Sequence, residues 1–193
     1  MFDFLHAKIL EVVPLTTEEF DKCKTFFMPK KLRKKRFLFE EGEICRYTAF
    51  VEKGTLKHYK VDDKGAEHIL QFALEGWWVA DLYSFFTQVP SIYNVEAIED
   101  CELLLITKNS WEEMLTAVPR LERFFRILLQ NNLISTQKRL MGAFSETAEE
   151  KYLKLINQFP DVLQRVPQHM IASYLGVTRE TLSRVRSTIA SKK

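Results

Sequence analysis

The hydrophobic residues form short β-prone runs as far as Ile106 and follow helical spacing after Pro119. Turns separate the early runs, and glycines at positions 42, 54, 65 and 76 set a spacing of 11 or 12 residues. Short strands at this spacing predict a compact antiparallel sandwich or barrel. The predicted strands are residues 36–39, 47–51, 56–61, 68–72, 95–98 and 103–106.

Residues 119–141 predict one long helix, because neither proline nor glycine follows Pro119 until Gly142. A helix of about 22 residues is roughly 33 Å long, more than is needed to cover one face of a small domain. Its apolar residues also cover more than one stripe, so the helix can face both its own β domain and a second copy. We therefore predict a homodimer, and the alternative is a core helix of a monomer. The apolar residues are Leu121, Phe124, Phe125, Leu128, Leu133, Ile134, Leu140 and Met141.

Two polar segments have the pattern of a capping box, which begins a helix. Residues 16–19 predict a short helix that runs to about Phe26, and residues 147–150 predict a helix that Pro160 ends. Residues 144–147, at the start of the second of these helices, are the predicted hinge between the two halves of the chain.

Residues 168–187, QHMIASYLGVTRETLSRVRS, have the pattern of a helix-turn-helix. Pro167 suits the first helical position, and Ile171, Ala172 and Leu175 then recur at helical spacing. The small Ala172 allows a second helix to approach closely. An ordinary amphipathic hairpin of helices has the same apolar spacing, but not usually these small and capping residues.

Gly176 gives the turn its backbone freedom, and Thr178 is a good N-cap for the second helix. The inward positions of the second helix are Leu182, Val185 and Ile189. The outward positions are Arg179, Glu180, Ser183, Arg184 and Ser187. A polar and basic outward face on the second helix predicts DNA binding.

The charge distribution agrees with this prediction. The net charge is +2, but residues 151–193 hold eight Lys or Arg against two acidic residues, a net charge of +6, and the rest of the chain is therefore at −4. A basic segment joined to an acidic body is typical of a nucleic-acid reader joined to a domain that senses another signal.

Composition excludes several other classes. Cys23, Cys45 and Cys101 lie far apart without a C-x-x-C pair, which argues against a disulfide framework and against a cysteine-bound zinc or iron–sulfur site. No apolar run approaches the length of a membrane span, and the N-terminus lacks the features of a signal peptide, so we expect a cytoplasmic protein without membrane contact. No Ser/His/Asp arrangement or pair of carboxylates indicates an enzyme, and we expect no cofactor.

A β-roll, a long helix, a hinge and a C-terminal helix-turn-helix in this order resemble the Crp–Fnr family of bacterial transcription regulators, over nearly the whole chain. Residues 177–184, VTRETLSR, are close to the family's recognition-helix signature. The resemblance implies that Arg179, Glu180 and Arg184 read base edges in the major groove. The chemistry agrees, because a guanidinium donates two hydrogen bonds to guanine and a carboxylate accepts one from cytosine. The candidate base-reading residues are Arg179, Glu180, Ser183 and Arg184.

Glu180 and Arg184 stand four residues apart on one helical face, so a surface ion pair is an alternative interpretation, and both can hold at once. Gln168, Thr178 and Arg186 are candidates for phosphate contacts, which fix position without reading sequence.

The chain departs from the family in two places. It ends soon after the second helix, so we expect no β-hairpin wing, and Lys192 and Lys193 are left to replace the wing's phosphate contacts. Cyclic-nucleotide members of the family have an acid that holds the ribose and, about ten residues later, an arginine that neutralises the cyclic phosphate. Asp81 keeps the acid, but Ser91 and Ile92 occupy the place of the arginine, and no arginine lies between positions 46 and 120. We therefore expect that cyclic AMP is not the effector.

The candidate effector pocket comprises Asp81, Leu82, Tyr83, Ser91, Ile92 and Thr136, the last because the family places its adenine-contacting residues on the long helix. An aromatic cluster lies in the same region, and it forms either part of the core or a pocket for a flat apolar effector. Its members are Trp77, Trp78, Tyr83, Phe85 and Phe86.

Two further patterns have open interpretations. His58 and His68 flank the Gly65 turn, and two histidines without a third ligand are more often exposed surface residues than metal ligands. Residues 30–36, KKLRKKR, form either a solvated edge strand, which lysines protect from pairing, or a second contact with the DNA backbone.

The predicted fold class is α+β, with an antiparallel β-roll sensor domain at residues 1–118, a dimerisation helix at 119–143 and an all-α helix-turn-helix domain at 144–193. The predicted function is a dimeric transcription regulator that reads an inverted repeat in double-stranded DNA, with an unknown small-molecule effector or none and with RNA polymerase as a candidate partner. The alternative is a protein-interaction module in which the roll docks a partner and the basic tail is incidental.

Overall fold

The computed structural model describes residues 1–191, and the chain divides into two compact units. The first unit comprises Met1–Lys60 and Gln71–Asn131. The second comprises Val61–Leu70, the tip of a β-hairpin, and the chain from Asn132 onward. Residues 192 and 193, which carry the two candidate tail lysines, lie outside the described residues.

Two four-stranded sheets form the β-roll, and the predicted antiparallel roll is confirmed. One sheet has the strand order β1-β8-β3-β6 and the other has the order β2-β7-β4-β5, with antiparallel pairing of β1 and β3 with β8 and of β2 and β4 with β7. All six predicted strands are present, and β1 and β6 are additional. The strands are β1 Met28–Leu32, β2 Phe37–Phe39, β3 Tyr47–Lys53, β4 Leu56–Val61, β5 Glu67–Ala73, β6 Trp78–Val79, β7 Asn94–Ala97 and β8 Cys101–Thr107.

The helices are α1 Asp3–Leu10, α2 Thr17–Lys24, α3 Leu82–Thr87, α4 Lys108–Ala117, α5 Arg120–Ser145, α6 Ala148–Gln158, α7 Val162–Arg165, α8 Gln168–Leu175 and α9 Arg179–Ser191. Both predicted capping boxes are present, at Thr16 with Glu19 and at Thr147 with Glu150. Helix α2 ends two residues before Phe26, because the Phe26 N–H binds the Cys23 carbonyl in a tighter turn. Helices α1, α3, α4 and α7 were not predicted.

Strand β8 shows why the roll has two hydrophobic clusters. Leu103 and Leu105 point into the cluster between the sheets, whereas Leu104 and Ile106 point into a second cluster that α1, α2, α4 and the start of α5 cover. A strand that is buried on both faces reads as a continuous apolar run, as this one does.

Helix α5 is 26 residues long and continues past Gly142 to Ser145. Leu121, Phe124 and Phe125 are buried in the core of the first unit, and Leu128 packs against that core. Beyond Leu128 the large apolar side chains of α5 are exposed in the single chain. They are Leu129 (45% exposed), Leu133 (59%), Ile134 (49%), Leu140 (58%), Met141 (64%) and Phe144 (81%).

His58 is buried inside the roll, so the expectation of an exposed residue was wrong for it. His58 is 4% exposed, and its ring packs edge-on against the Tyr93 ring with 4.8 Å between the ring centres. Its Nε2 has no hydrogen-bond partner among the described residues. Burial lowers the pKa of His58 to about 4, although the charge of Asp81 opposes the shift. His68, by contrast, is exposed and lies 2.8 Å from the Asp62 carboxylate.

The buried His58 predicts a loss of stability in mild acid. An unfolded histidine takes up a proton near pH 6.5, whereas the folded chain holds His58 neutral down to about pH 4. The unfolded state therefore binds more protons across this window, and the free energy of unfolding falls as the pH drops from about 6.5 to about 4. The contribution of His58 is complete above this window, and its full loss amounts to at most about 3 kcal/mol.

Urea unfolding at the two ends of this window measures the effect. His58→Leu should flatten the pH dependence, whereas His68→Gln, which changes an exposed ring, should keep most of it. A His58→Leu protein with the wild-type pH dependence would contradict the assignment.

Candidate nucleic-acid interface

Helices α6, α8 and α9 contact one another and form the body of the second unit. The inward residues of this body are Tyr152, Leu155, Ile171, Ala172, Leu175 and Leu182, and all are buried. The predicted helix-turn-helix is therefore present, with its first helix at α8 and its second at α9.

The turn between α8 and α9 is held by the residues that predicted it. Gly176 has a φ of +67°, in the left-handed region, and ends α8. The Val177 N–H donates to the Ala172 carbonyl at 3.0 Å, and the Thr178 hydroxyl accepts from the Thr181 N–H at 3.2 Å. Pro167 is the N-cap of α8, so the helix begins at Gln168, one residue later than predicted.

The four candidate base-reading residues of α9 are exposed on its outward side. The Arg184 guanidinium donates to the Thr181 hydroxyl at 3.4 Å, and within residues 1–191 it forms no ion pair with Glu180. The pKa of Glu180 is lowered because its carboxylate accepts hydrogen bonds from the Glu180 backbone N–H and from the Thr178 hydroxyl. One face of a fixed helix thus presents an anionic acceptor together with cationic donors.

The structure separates the candidate phosphate contacts. Gln168 begins α8 and is exposed, and Thr178 is exposed as the N-cap position of α9. Arg186 is half-buried and follows Arg184 by two residues, so the two arginines do not share a helical face. No observation on the described residues tests the roles assigned to any of these side chains, and their roles remain predictions.

The β-hairpin tip binds the helix-turn-helix through backbone groups, which the sequence analysis missed. The Ser173 hydroxyl donates to the Glu67 carbonyl and accepts from the Ile69 N–H at 3.1 Å. Arg139 donates to the Leu70 carbonyl, and its guanidinium lies 5.4 Å from the centre of the Tyr174 ring. Strand β5 is at the edge of its sheet, so these contacts satisfy backbone groups that have no neighbouring strand. Backbone groups have no residue signature, and no sequence pattern could have indicated them.

Asp81 and Ser91, from the candidate effector pocket, bind each other directly. Both are buried, and the Ser91 hydroxyl donates to Asp81 Oδ2 at 2.8 Å. Asp81 Oδ1 accepts from the Tyr83 and Ser84 N–H groups and caps α3. The remaining predicted pocket residues are exposed and are Leu82, Tyr83, Ile92 and Thr136.

Ser91 offers a hydroxyl at the position where the resemblance implies an arginine for the cyclic phosphate. Oδ1 of Asp81 already accepts two hydrogen bonds from the chain and Oδ2 accepts one, so three of the roughly four acceptor sites of the carboxylate are used within the fold. Arg46 lines a cavity of about 280 Å³, but Glu43 lines it too, and Asp81 and Ser91 do not. The cavity residues are Leu38, Phe39, Glu43, Ile44, Arg46 and Tyr47.

The aromatic cluster divides between core and surface. Trp78 packs at ring-centre distances of 5.3 to 6.1 Å against a group of core aromatics, and Phe85 is buried against Phe86. Tyr83 is 70% exposed and Phe86 is 41% exposed. Trp78 and Phe85 therefore serve the core, as the first of the two interpretations predicted.

The cysteines are buried thiols. Burial raises the pKa of Cys23 to about 12 and those of Cys45 and Cys101 to about 11, so the thiols stay protonated.

Among residues 1–191 no three His, Cys, Asp or Glu side chains are grouped as metal ligands. None of the described helices is long and apolar enough to cross a membrane.

Comparison with known proteins supports the same assignment. The sequence profile of the family described as "Cyclic nucleotide-binding domain" matches residues 29–117. The "Anaerobic regulatory protein" of Haemophilus influenzae is 24% identical over 185 residues, which cover 89% of this chain and 70% of that protein. The "Cyclic AMP receptor protein" of Thermus thermophilus is 23% identical over 182 residues, which cover 92% of this chain and 84% of that protein.

The solved structure of FixK2 from Bradyrhizobium japonicum has the same fold. It superposes with a TM-score of 0.72 at 20% identity, over 86% of this chain and 85% of that one. A β-roll followed by a long helix and a helix-turn-helix, with relatives named as regulators, defines a DNA-binding transcription regulator. Within that class, the chain is similar to regulators of the Crp–Fnr family, in fold and at 20 to 24% sequence identity to the proteins named above.

Proposed function

We propose that this regulator binds DNA as a homodimer, reads an inverted-repeat operator through α9, and responds through its β-roll to a signal other than cyclic AMP, or to none. The observation that carries the proposal is the exposed set of Arg179, Glu180 and Arg184 on a helix whose position is fixed by the Gly176 turn. Such a protein acts on the chromosome in the bacterial cytoplasm, with RNA polymerase as a candidate partner.

The base chemistry follows from the side chains. Arginine can donate two hydrogen bonds to O6 and N7 of one guanine, and an ionised carboxylate accepts from N4 of cytosine. A glutamate is ionised at neutral pH, and the lowered pKa of Glu180 extends this ionised state to more acidic pH. The two residue types together favour G·C pairs within each half-site.

The homodimer follows from the second half of α5. From Leu129 to Phe144 its large apolar side chains are 45 to 81% exposed in one chain, and a contiguous apolar surface of this kind marks an interface. A second copy of the same helix is the simplest cover, because two identical apolar faces related by a twofold axis match each other. A twofold dimer reads an inverted repeat.

Replacing Arg184 by Ala tests the base readout. We expect a loss of about 1–3 kcal/mol on the specific site and much less on random DNA, because the bidentate contact with guanine disappears. Genomic selection of bound fragments supplies the site. Arg186→Ala is the matched control, and it should weaken binding to both DNAs alike. If Arg184→Ala lost the same binding free energy on both DNAs, Arg184 would contact only phosphate. If the wild-type protein bound no duplex, the protein-interaction alternative would be favoured.

Charge in the α5 seam tests the dimer. Leu133→Glu should give monomers that bind the operator weakly, since an ionised carboxylate in an apolar interface has no partner. Leu128 is unsuitable for this test because it packs against the core of its own unit. Light scattering measures the mass, with Leu133→Met as the control that stays apolar. The bound half-sites should be separated by about 34 Å or a multiple of it. A Leu133→Glu protein that stays dimeric would move the interface elsewhere.

Calorimetry with cyclic AMP tests the effector. We expect no binding at micromolar concentration, because the sequence has no arginine between Arg46 and Arg120 and no lysine between Lys64 and Lys108 to neutralise a cyclic phosphate near Asp81. A missing charge-assisted contact costs about 1.5–3 kcal/mol of affinity. The same preparation should bind its operator without cyclic AMP, which shows that the protein is intact. A gel shift that depends on cyclic AMP would refute the proposal.

A further inference from the structure

A second basic surface lies on the first unit, at the end of β1. Residues 30–36 carry six cationic side chains, and all six are exposed. Strand β1 is at the edge of its sheet, so Lys30 and Lys31 agree with the edge-strand interpretation. Residues 33–36, which we name the basic turn, follow the strand, so protection of an edge does not account for them.

Hydrogen bonds fix the backbone of the basic turn at three consecutive N–H groups. The Arg36 N–H donates to the Arg33 carbonyl at 3.1 Å, and the Lys35 N–H donates to the Ala97 carbonyl at 2.8 Å. The Lys34 N–H donates to the Asp100 carboxylate at 2.7 Å. A turn that is fixed in this way presents its side chains from a rigid base, so little backbone entropy is lost when they bind a partner.

Lys35 has a φ of +63°, in the left-handed region. Glycine or asparagine adopts this conformation readily, whereas a lysine is strained in it. Among residues 1–191 only Gln88 is another non-glycine residue with positive φ. A strained residue that a glycine would relieve indicates that its side chain has a role outside the fold.

The cations are poorly neutralised by their surroundings. Within the described chain, the single ion pair of this surface joins Lys31 to Glu102 at 3.8 Å. The Asp100 carboxylate, which accepts from the Lys34 N–H, places one more negative charge beside the basic turn, so six cations face these two carboxylates. The surface therefore keeps a dense positive charge that fits a regular row of anions.

We propose that the basic turn, together with Lys30 and Lys31, is a second DNA contact that binds backbone phosphates outside the sequence read by α9. This inference rests on the proposed function. Duplex DNA is the favoured partner because the same chain carries a DNA-reading helix and because phosphates are spaced regularly along a duplex.

Two duplexes test the proposal. The short one contains only the operator, and the long one adds about two helical turns on each side. The wild-type dimer should bind the long duplex more tightly and with a steeper dependence of log K on log salt, since each neutralised phosphate adds about 0.9 to the slope. Lys34→Gln with Arg36→Gln should lower the slope on the long duplex by up to about 2 per engaged protomer and leave the short duplex unchanged.

The matched control removes two cations from elsewhere in the first unit. Lys8 and Lys24 are each paired with a nearby acid, at 2.8 and 2.5 Å, and Lys8→Gln with Lys24→Gln should leave both slopes unchanged. A drop in the slope with this control would mean that net charge, and not the basic turn, is responsible.

Lys35→Gly separates a structural role from a binding role. It should raise the melting temperature, because glycine relieves the positive φ, and should still weaken binding to the long duplex. The proposal would be overturned if Lys35→Gly and the Lys34→Gln, Arg36→Gln double variant both bound the long duplex with wild-type affinity. It would also be overturned if these variants lost equal affinity on the short and the long duplex. Binding to anionic phosphatidylserine vesicles that the variants lose, with DNA binding intact, would assign the surface to lipid instead. If the wild-type protein binds neither duplex, the proposed function itself fails.

Discussion

Helix α5 contributes to both units, and its apolar residues divide between two environments. Leu121, Phe124 and Phe125 complete the core of the β-roll unit, whereas the side chains from Leu129 onward have no cover in the single chain. An exposed apolar surface on a long helix is unfavourable in water, and this cost supports the proposed partner for the second half of α5. The proposed homodimer, the inverted-repeat operator and the spacing of the two α9 helices all depend on this one surface.

The β-roll keeps the acid of the family's ligand site but uses it within the fold. Asp81 caps α3 and accepts from Ser91, which stands ten residues later, where the resemblance implies an arginine. A buried carboxylate is stable without a cation when several donors satisfy it. The Ser91–Asp81 hydrogen bond therefore holds the roll together at the position where, by the resemblance, cyclic-nucleotide members bind their effector.

Local patterns allowed much of the fold to be predicted. The capping boxes at Thr16 and Thr147, the left-handed Gly176 and the N-cap Thr178 each work through contacts within four residues of chain. Six strands of the roll were also predicted, because turns and β-prone runs are local too. The errors at these elements were small: helix α2 ends two residues early, and helix α8 begins one residue after Pro167 instead of at it.

The amino-acid sequence by itself determined the order of the elements, the turn of the helix-turn-helix and the residue types on the outward face of α9, because short-range contacts decide each of these. The tertiary structure alone decided which surfaces are covered. It buried His58, joined Asp81 to Ser91 and placed Ser173 on the edge of β5. It also fixed the basic turn through Ala97 and Asp100. These contacts join residues that are distant along the chain, or use backbone groups common to all residues, so their formation depends on how whole elements pack.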